Sequence, residues 1–337
     1  MKAYEVREFG IDKLAVAERE IPQPQAGQVL VRMRAASLNY RDVMVITGTY
    51  NPRMKMPAVP FSDGAGEIAA VGDGVTEWAV GDRVCPIFVQ QWLDGEVSET
   101  TRRTALGAGA QWDGVLREFA VFDASSVVRV PEGLSFEEAS TLPCTAVTAW
   151  HALSVSGHLK AGESVLTLGT GGVSIAALQT AKLFGSRVIA TTSSEAKAAK
   201  LRALGADDVI NYTEREDWDV AVMELTGKRG VDHVIEVGGA GTLARSLNAV
   251  RVGGHVALIG ALSGGGGAVD PIQIFMKSVR LQGIFVGSRE MFRDVIRAID
   301  EGGVRPVIDR TFEFDQVPEA LEYMRSGAHF GKIVVQI

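Results

Sequence analysis

The stretch Leu166-Thr167-Leu168-Gly169-Thr170-Gly171-Gly172-Val173-Ser174 leaves an apolar strand pattern, turns on glycines and enters a helical pattern. Gly169 permits a sharp turn, and Gly171 lets backbone approach a pyrophosphate. A helix starting at Gly172 and Val173 points its unpaired N–H groups at that anion. Ser174 stands where a third glycine is commonest, and its small side chain still allows close helix–strand contact. Alone, such a turn is a weak signal. Here it opens a long alternation of strand and helix patterns: 164–168, 173–184, 187–191, 194–204, 208–210, 231–237, 242–250, 255–259, 271–277 and 280–286. That order predicts an α/β fold, a doubly wound parallel sheet covered on both faces. The alternative reading is a plain glycine turn in an α/β protein.

The first 130 or so residues read differently. Short strand patterns at 29–33, 64–72, 79–84, 116–121 and 126–130 are separated by turns, and 90–107 reads as a long polar loop. Helical spacing over 136–152, broken at Pro143, leads into the glycine turn. Beyond it, 292–300 and 317–325 look helical and 332–337 like a terminal strand. Gly264–Gly267 reads as a flexible loop. The chain's 337 residues are enough for about two domains. A net charge of −7 without a basic block argues against nucleic acid or anionic membranes as partners and for a small molecule. Two cysteines, 85 and 144, make neither a disulfide framework nor a close ligand pair. No signal-length apolar segment or membrane-length run occurs, so the expected location is the cytoplasm.

The second strand of the alternation ends Thr191-Thr192-Ser193-Ser194-Glu195, where NAD-selective sites usually carry an acid for the ribose 2′-hydroxyl. Thr192-Ser193-Ser194-Glu195 fits a capping box, with Glu195 folded back on its own helix. Ser193, Lys197 and Tyr212 offer a hydroxyl, an ammonium and a phenol to the same corner. This set suits a 2′-phosphate, and the expected cofactor is NADPH.

The order of these features, with Leu-Gly-Ala-Asp-Asp-Val-Ile-Asn-Tyr at 204–212, resembles the medium-chain dehydrogenase/reductase superfamily over essentially the whole chain. Ser37-Leu38-Asn39-Tyr40-Arg41-Asp42 and Gly48-Thr49-Tyr50 resemble its zinc-free quinone oxidoreductase branch, where Ser193, Lys197 and Tyr212 fall on 2′-phosphate positions. The resemblance implies a β-rich, GroES-like catalytic domain from 1–127 with 290–337, and a Rossmann cofactor domain over 128–289. It also implies a nicotinamide between the domains and a homodimer joined through the edge strand 280–286. Further cofactor contacts are expected from Thr148, Gly260, Leu262, Phe285 and Gly287. Met44 departs from the pattern, since quinone oxidoreductases often carry a tyrosine there.

Zinc members of the superfamily place a Cys, a Gly-His-Glu and a third Cys or Asp around the metal. Here Asn39 takes the first position, Phe61-Ser62-Asp63 replaces Gly-His-Glu, and Cys144 matches the third. One thiolate cannot build a tetrahedral site, and 90–107 lacks the structural cysteines, so no metal is expected. Without a Lewis acid the acceptor must be electrophilic by conjugation: a quinone or an α,β-unsaturated carbonyl. Tyr50 is the candidate proton donor and Asn39 the candidate hydrogen-bond donor; each also reads as a structural loop residue. Arg41 and Asp42 read as a surface or interdomain pair. Phe61, Phe88, Trp92 and Phe285 are candidate cleft aromatics, Trp92 foremost because of its loop. Two other functions stay open: a metal-free NADP(H)-dependent alcohol dehydrogenase or carbonyl reductase, and a non-catalytic NADPH-binding protein.

Overall fold

The protein was analysed as a computed structural model that describes residues 1–109, 112–264, 266 and 268–337. The chain forms two compact units, 1–147 with 287–337, and 148–286. The change of unit after Val147, rather than at 127, has a structural reason. The strand Val127–Arg129 pairs with Arg83–Pro86, and the helix Phe136–Ser140 packs on the first unit's sheet. The final crossing likewise falls at Gly287.

The second unit is a parallel sheet of six strands: β1 (Ser164–Thr167), β2 (Arg187–Thr192), β3 (Asp208–Asn211), β4 (Val231–Glu236), β5 (Val250–Leu258) and β6 (Arg280–Gly283). Their spatial order is 3-2-1-4-5-6, all parallel. This is the doubly wound dinucleotide-binding topology, which reverses beside β1 and opens a crevice at the strands' C-terminal ends. Val165, Leu166, Val188, Ile189, Val234, Ile235 and Val256 are buried, as strands covered on both faces require. Helices Gly172–Leu183 and Glu195–Ala203 match the sequence reading, and Trp218–Leu225 is an addition to it. β6 ends at Gly283, shorter than the expected 280–286. Gly265 and Gly267 of the glycine run lie outside the described residues.

The opposite end of this sheet carries a buried histidine pair. His233 and His255 sit side by side on β4 and β5, with Nδ1 atoms 3.5 Å apart. His233 Nε2 lies 3.0 Å from Glu163, and His255 Nε2 lies 3.3 Å from Ser156 Oγ. Burial, then the charges of His233, Arg280 and His158, push His255 down to about 3; burial also lowers His233. Both are neutral when folded at pH 7. Below about 6.5 the unfolded chain takes up protons that the folded one refuses, so this stability is lost as pH falls toward 3. Urea unfolding of the intact protein at pH 6.5 and 5.0 is expected to show His255 costing up to about 2 kcal/mol over that interval. His255→Gln should flatten the dependence; an unchanged slope would reject the assignment.

The first unit is built on a seven-stranded sheet whose long strand Gln28–Ser37 pairs with Asp63–Val71, Phe119–Asp123 and Lys332–Gln336. Two strands the sequence reading did not include, Lys2–Glu5 and Ala15–Glu18, form a separate hairpin. The loop 90–107 contains a one-turn helix, Glu99–Arg102, capped by Ser98 Oγ on Thr101 N–H. Trp92 in that loop is buried, with Nε1 donating to Gly95 O at 2.9 Å. It is a core residue, because a loop tied by its own hydrogen bonds folds its largest apolar group inward. Helicity over 136–156 persists past Pro143, with looser i→i+5 turns at Leu142–Ala146 and His151–Ser156.

Candidate active site and cofactor site

Register assembles the polar centre of the first unit. Ser37, at the end of the long strand, faces Asp63 on one neighbouring strand and Val334 on the other. Leu38 N–H donates to Ile333 O at 3.0 Å. Asn39 then opens the helix Tyr40–Ile46, and Asp42 in its first turn accepts from Asn39 N–H at 2.7 Å. This helix escaped the sequence reading because β-branched Val43, Val45 and Ile46 lack strong helix propensity; the Asn39–Asp42 cap decides it.

At the centre sits Lys332, which the sequence analysis did not single out. Its buried Nζ donates to Leu38 O at 2.5 Å and Asn39 Oδ1 at 2.7 Å, and lies 3.9 Å from Asp63 Oδ2. Asp63 is fully buried and accepts from Ser62 Oγ at 2.9 Å and Cys144 N–H at 3.2 Å. Asn39 Nδ2 faces Ser62 Oγ at 3.5 Å. Thus Asn39, Ser62, Asp63 and Cys144 do converge, but around an ammonium. Burial, with Asp63 beside it, pushes the Cys144 thiol up to about 12. An amide, a hydroxyl committed to Asp63, a single thiol and a lysine do not fit zinc, which needs three protein ligands and room for its own charge.

Phe61 precedes this cluster with φ 69°, an uncommon left-handed conformation for a bulky side chain. Its backbone is enclosed by Gly107 and Gly114; a Cβ on Gly114 would stand 2.1 Å from Phe61 O. Phe61 and Phe88 are buried, so neither is an open cleft aromatic. Arg41 and Asp42 are not a surface pair. Asp42 is fully buried, which raises its carboxyl to about 7 despite nearby Arg41. Arg41 donates to Leu106 O, and its guanidinium lies 4.6 Å from the Phe88 ring and 5.2 Å from the Tyr50 ring. Tyr50 is 40% exposed, so its ring rests on a fixed cation while its surface remains open.

In the second unit, Gly169 adopts φ 73°, and a Cβ there or on Gly171 would meet nothing within 4 Å. The turn is therefore free on its outer side. Gly169 N–H donates to Thr191 Oγ1 at 3.1 Å, and Ser174 Oγ donates to Leu168 O at 2.6 Å. The helix begins at Gly172 with Gly171 as its cap and no capping side chain, leaving first-turn N–H groups for an anion. A cavity of about 320 Å³ lies beside the turn, lined by Gly169, Thr191, Tyr212, Gly238, Thr242 and Leu262 among others. Open backbone, an uncapped helix end and this cavity fit a dinucleotide.

Tyr212 N–H donates to Thr192 O at 2.9 Å, which brings it to the end of β2 beside Ser193. Ser193 is exposed and Lys197 half-buried; Tyr212 lines the cavity, whereas those two are not among its walls. The capping box at 192–195 differs from its expected register. Ser194 is the cap, accepting from Lys197 N–H, and Glu195 pairs with Arg202 at 2.5 Å. Lys197 occupies the position where a capping box needs an acid.

Glu236, also missed in the sequence, shapes the cavity wall. This fully buried residue ends β4. Its Oε1 accepts from Gly238 N–H at 2.7 Å, Gly239 N–H at 2.9 Å and Thr242 Oγ1 at 2.6 Å, and its Oε2 from Ser246 Oγ. Gly260 packs against Val237, where a Cβ would come within 2.6 Å of the carbonyl, and Leu262 N–H donates to that carbonyl. Thr148 is buried. Phe285 is half-buried and Gly287 belongs to the first unit. Between them Val286 has φ 45°, its carbonyl 2.7 Å from His151 Nδ1.

Residues 25–132 match the alcohol dehydrogenase GroES-like domain family and 172–301 the zinc-binding dehydrogenase family. A zinc-type alcohol dehydrogenase-like protein of Schizosaccharomyces pombe is 42% identical, over 97% of this chain and 96% of its own. An acryloyl-coenzyme A reductase of Metallosphaera sedula is 31% identical (95% of both chains). A quinone oxidoreductase of Rattus norvegicus is 30% identical (99% and 97%). Among solved structures, an NAD-dependent alcohol dehydrogenase superposes with TM-score 0.91 at 34% identity, and a mycobacterial protein complexed with NADPH with 0.83 at 28%, each covering 100% of both chains. Relatives thus span both kinds of chemistry and both cofactors, on one architecture. A six-stranded dinucleotide sheet, a GroES-like unit and whole-length relatives together make this chain an oxidoreductase of the medium-chain dehydrogenase/reductase superfamily.

Proposed function

We propose that the protein is a zinc-independent, NADPH-dependent reductase of α,β-unsaturated carbonyls, with quinones as the second acceptor class. The observation that carries this reading is the Lys332 ammonium among the residues at the expected ligand positions. The acceptor must then bring its own electrophilicity. The acryloyl-coenzyme A reductase and quinone oxidoreductase relatives support that substrate class. Met44, in place of the tyrosine common in quinone oxidoreductases, favours enones within it.

The glycine turn, the uncapped helix start at Gly172 and the cavity at Tyr212 and Thr242 would hold the dinucleotide. When bound, NADPH supplies a hydride to the acceptor's electron-poor carbon. Asn39 Nδ2–H donates to the carbonyl oxygen, where negative charge develops. Tyr50 Oη delivers a proton to the enolate and is reprotonated from water, so one hydride and one proton saturate the double bond. Arg41, stacked on the ring, keeps Tyr50 in place. Ser193 and Lys197, with no acid at the end of β2, favour the 2′-phosphate. Lys197→Ala should raise KM for NADPH at least ten-fold while leaving that for NADH unchanged; equal changes would reject the phosphate assignment.

A homodimer through the open edge of β6 is part of the same reading. In the helix Pro271–Met276, which precedes β6 in the chain, Ile272, Phe275 and Met276 are 56%, 63% and 70% exposed, an apolar surface that a second copy would cover. Sedimentation as a monomer at micromolar concentration would exclude it. Cytoplasmic residence is proposed from Cys85 and Cys144, neither of which is in a disulfide; among the described residues no helix is long and apolar enough to cross a membrane.

The reading is tested by following NADPH absorbance against enones, quinones, aldehydes and, in reverse, saturated alcohols, with and without a chelator. Enone reduction that survives chelation is expected. Alcohol turnover at rates matching enones would favour the alcohol dehydrogenase reading, which the zinc-type and NAD-dependent relatives suggest. NADPH binding without oxidation by any acceptor would indicate a non-catalytic protein.

A further inference from the structure

We propose that Lys332 is a positioning residue that fixes which end of the Asn39 carboxamide meets the acceptor. The proposal rests on the reading above that Asn39 donates to the acceptor's oxygen. An ammonium carries three donors and no acceptor. Around Lys332 Nζ stand Leu38 O at 2.5 Å, Asn39 Oδ1 at 2.7 Å and Asp63 Oδ2 at 3.9 Å. Flipping the carboxamide would set its NH₂ against the NH₃⁺, two donors face to face. Oδ1 is therefore committed inward and Nδ2 is turned away.

On Nδ2's side stands the Ser62 hydroxyl, with Oγ at 3.5 Å. That hydroxyl spends its proton on Asp63 Oδ1 at 2.9 Å, so it shows Asn39 only lone pairs. Both ends of the amide are thus read by their surroundings: a pure donor at the oxygen and an acceptor at the nitrogen. Ser62, Asp63 and Lys332 are buried, whereas Asn39 is half-buried. Of the network's residues, Asn39 and Cys144 are the half-buried ones. A cation on the amide oxygen also draws electron density from its nitrogen and strengthens the N–H donors. Asp63, beside the ammonium, balances its charge, which leaves orientation as the main contribution.

The test compares Lys332→Met with Lys332→Gln in the intact enzyme, alongside Asn39→Ala. Both lysine variants remove the same charge, but glutamine still donates to Asn39 Oδ1, so their difference reads the hydrogen bond. Single-turnover NADPH oxidation with an enone should slow by about 10- to 100-fold in K332M and by less than five-fold in K332Q. The dissociation constant for NADPH should stay within two-fold in both. Combining K332M with N39A should add less than three-fold to the loss in N39A alone. Equal losses in K332M and K332Q, or losses that multiply fully with N39A, would overturn the proposal. Should K332M fail to fold, K332Q decides: a folded K332Q as slow as N39A overturns it, and one near wild type supports it. Wild-type turnover in N39A would remove the donor reading itself, and this proposal with it. An impaired N39A beside a wild-type K332M removes this proposal alone.

Discussion

Asn39→Ala is expected to lower kcat for an enone by about 10²–10³-fold, the loss typical of one hydrogen-bond donor at a developing oxyanion. The carboxamide is held at both ends, by Lys332 at 2.7 Å and Ser62 at 3.5 Å, so its N–H is aimed before any acceptor arrives. Removing a preoriented donor costs mainly at the transition state, so kcat falls while binding of NADPH and acceptor changes by less than about three-fold. Tyr50→Phe behaves differently. The ring should still stack on Arg41 with only the proton lost, so turnover is expected to drop by about 10²-fold and to recover partly at lower pH, as water takes over. Stopped-flow NADPH oxidation separates the two. Unchanged chemical steps in both variants would remove this face of the first unit from the mechanism.

Glu236→Leu has the largest expected effect on stability. Four donors converge on this buried carboxylate. Leucine is of similar size and accepts nothing, so Gly239 N–H and Ser246 Oγ become unsatisfied buried groups at about 1–3 kcal/mol each, while half-buried Gly238 and Thr242 turn to water in the cavity. The sum is roughly 2–6 kcal/mol, a large part of the 5–15 kcal/mol that holds an ordinary domain together. Because Gly238 and Thr242 line the cavity, NADPH affinity should fall more than 100-fold along with the melting temperature. Glu236→Gln keeps one oxygen for the three Oε1 donors, and Ser246 can turn to accept from its nitrogen, so only about 1–2 kcal/mol is lost. Calorimetry and NADPH titration of the two variants check this. A leucine variant that melts within 3 °C of wild type would show that the turn does not depend on the carboxylate.

The second unit was readable because its signals are local. Strand and helix patterns alternate, and the turn at Gly169 carries its own conformational demand at φ 73°. The first unit was less so, since its site is made by register between distant strands. Nothing near Lys332 in the sequence signals that strand pairing will set it against Asn39, 293 residues earlier. Substitutions at the ligand positions were visible as identities, but the ammonium standing among them was not. Trp92 misled for a related reason: a polar loop was read as open, whereas its own hydrogen bonds and the Val89–Ala105 bridge close it over the indole. The cap at Ser194 shows the limit of motif matching, because two residues of slip moved an acid out of the position that would have used it.

The buried lysine also sets the terms on which this scaffold could be re-engineered. Introducing cysteine at 39, histidine at 62 and a deprotonated Cys144 would supply three ligands yet ask a dication to enter beside a fixed positive charge. At 4 Å and an effective dielectric of 20, the bare repulsion is about 8 kcal/mol, part of which Asp63 beside the ammonium offsets. A designer would therefore begin at position 332, with a neutral residue there, and graft the ligands afterwards.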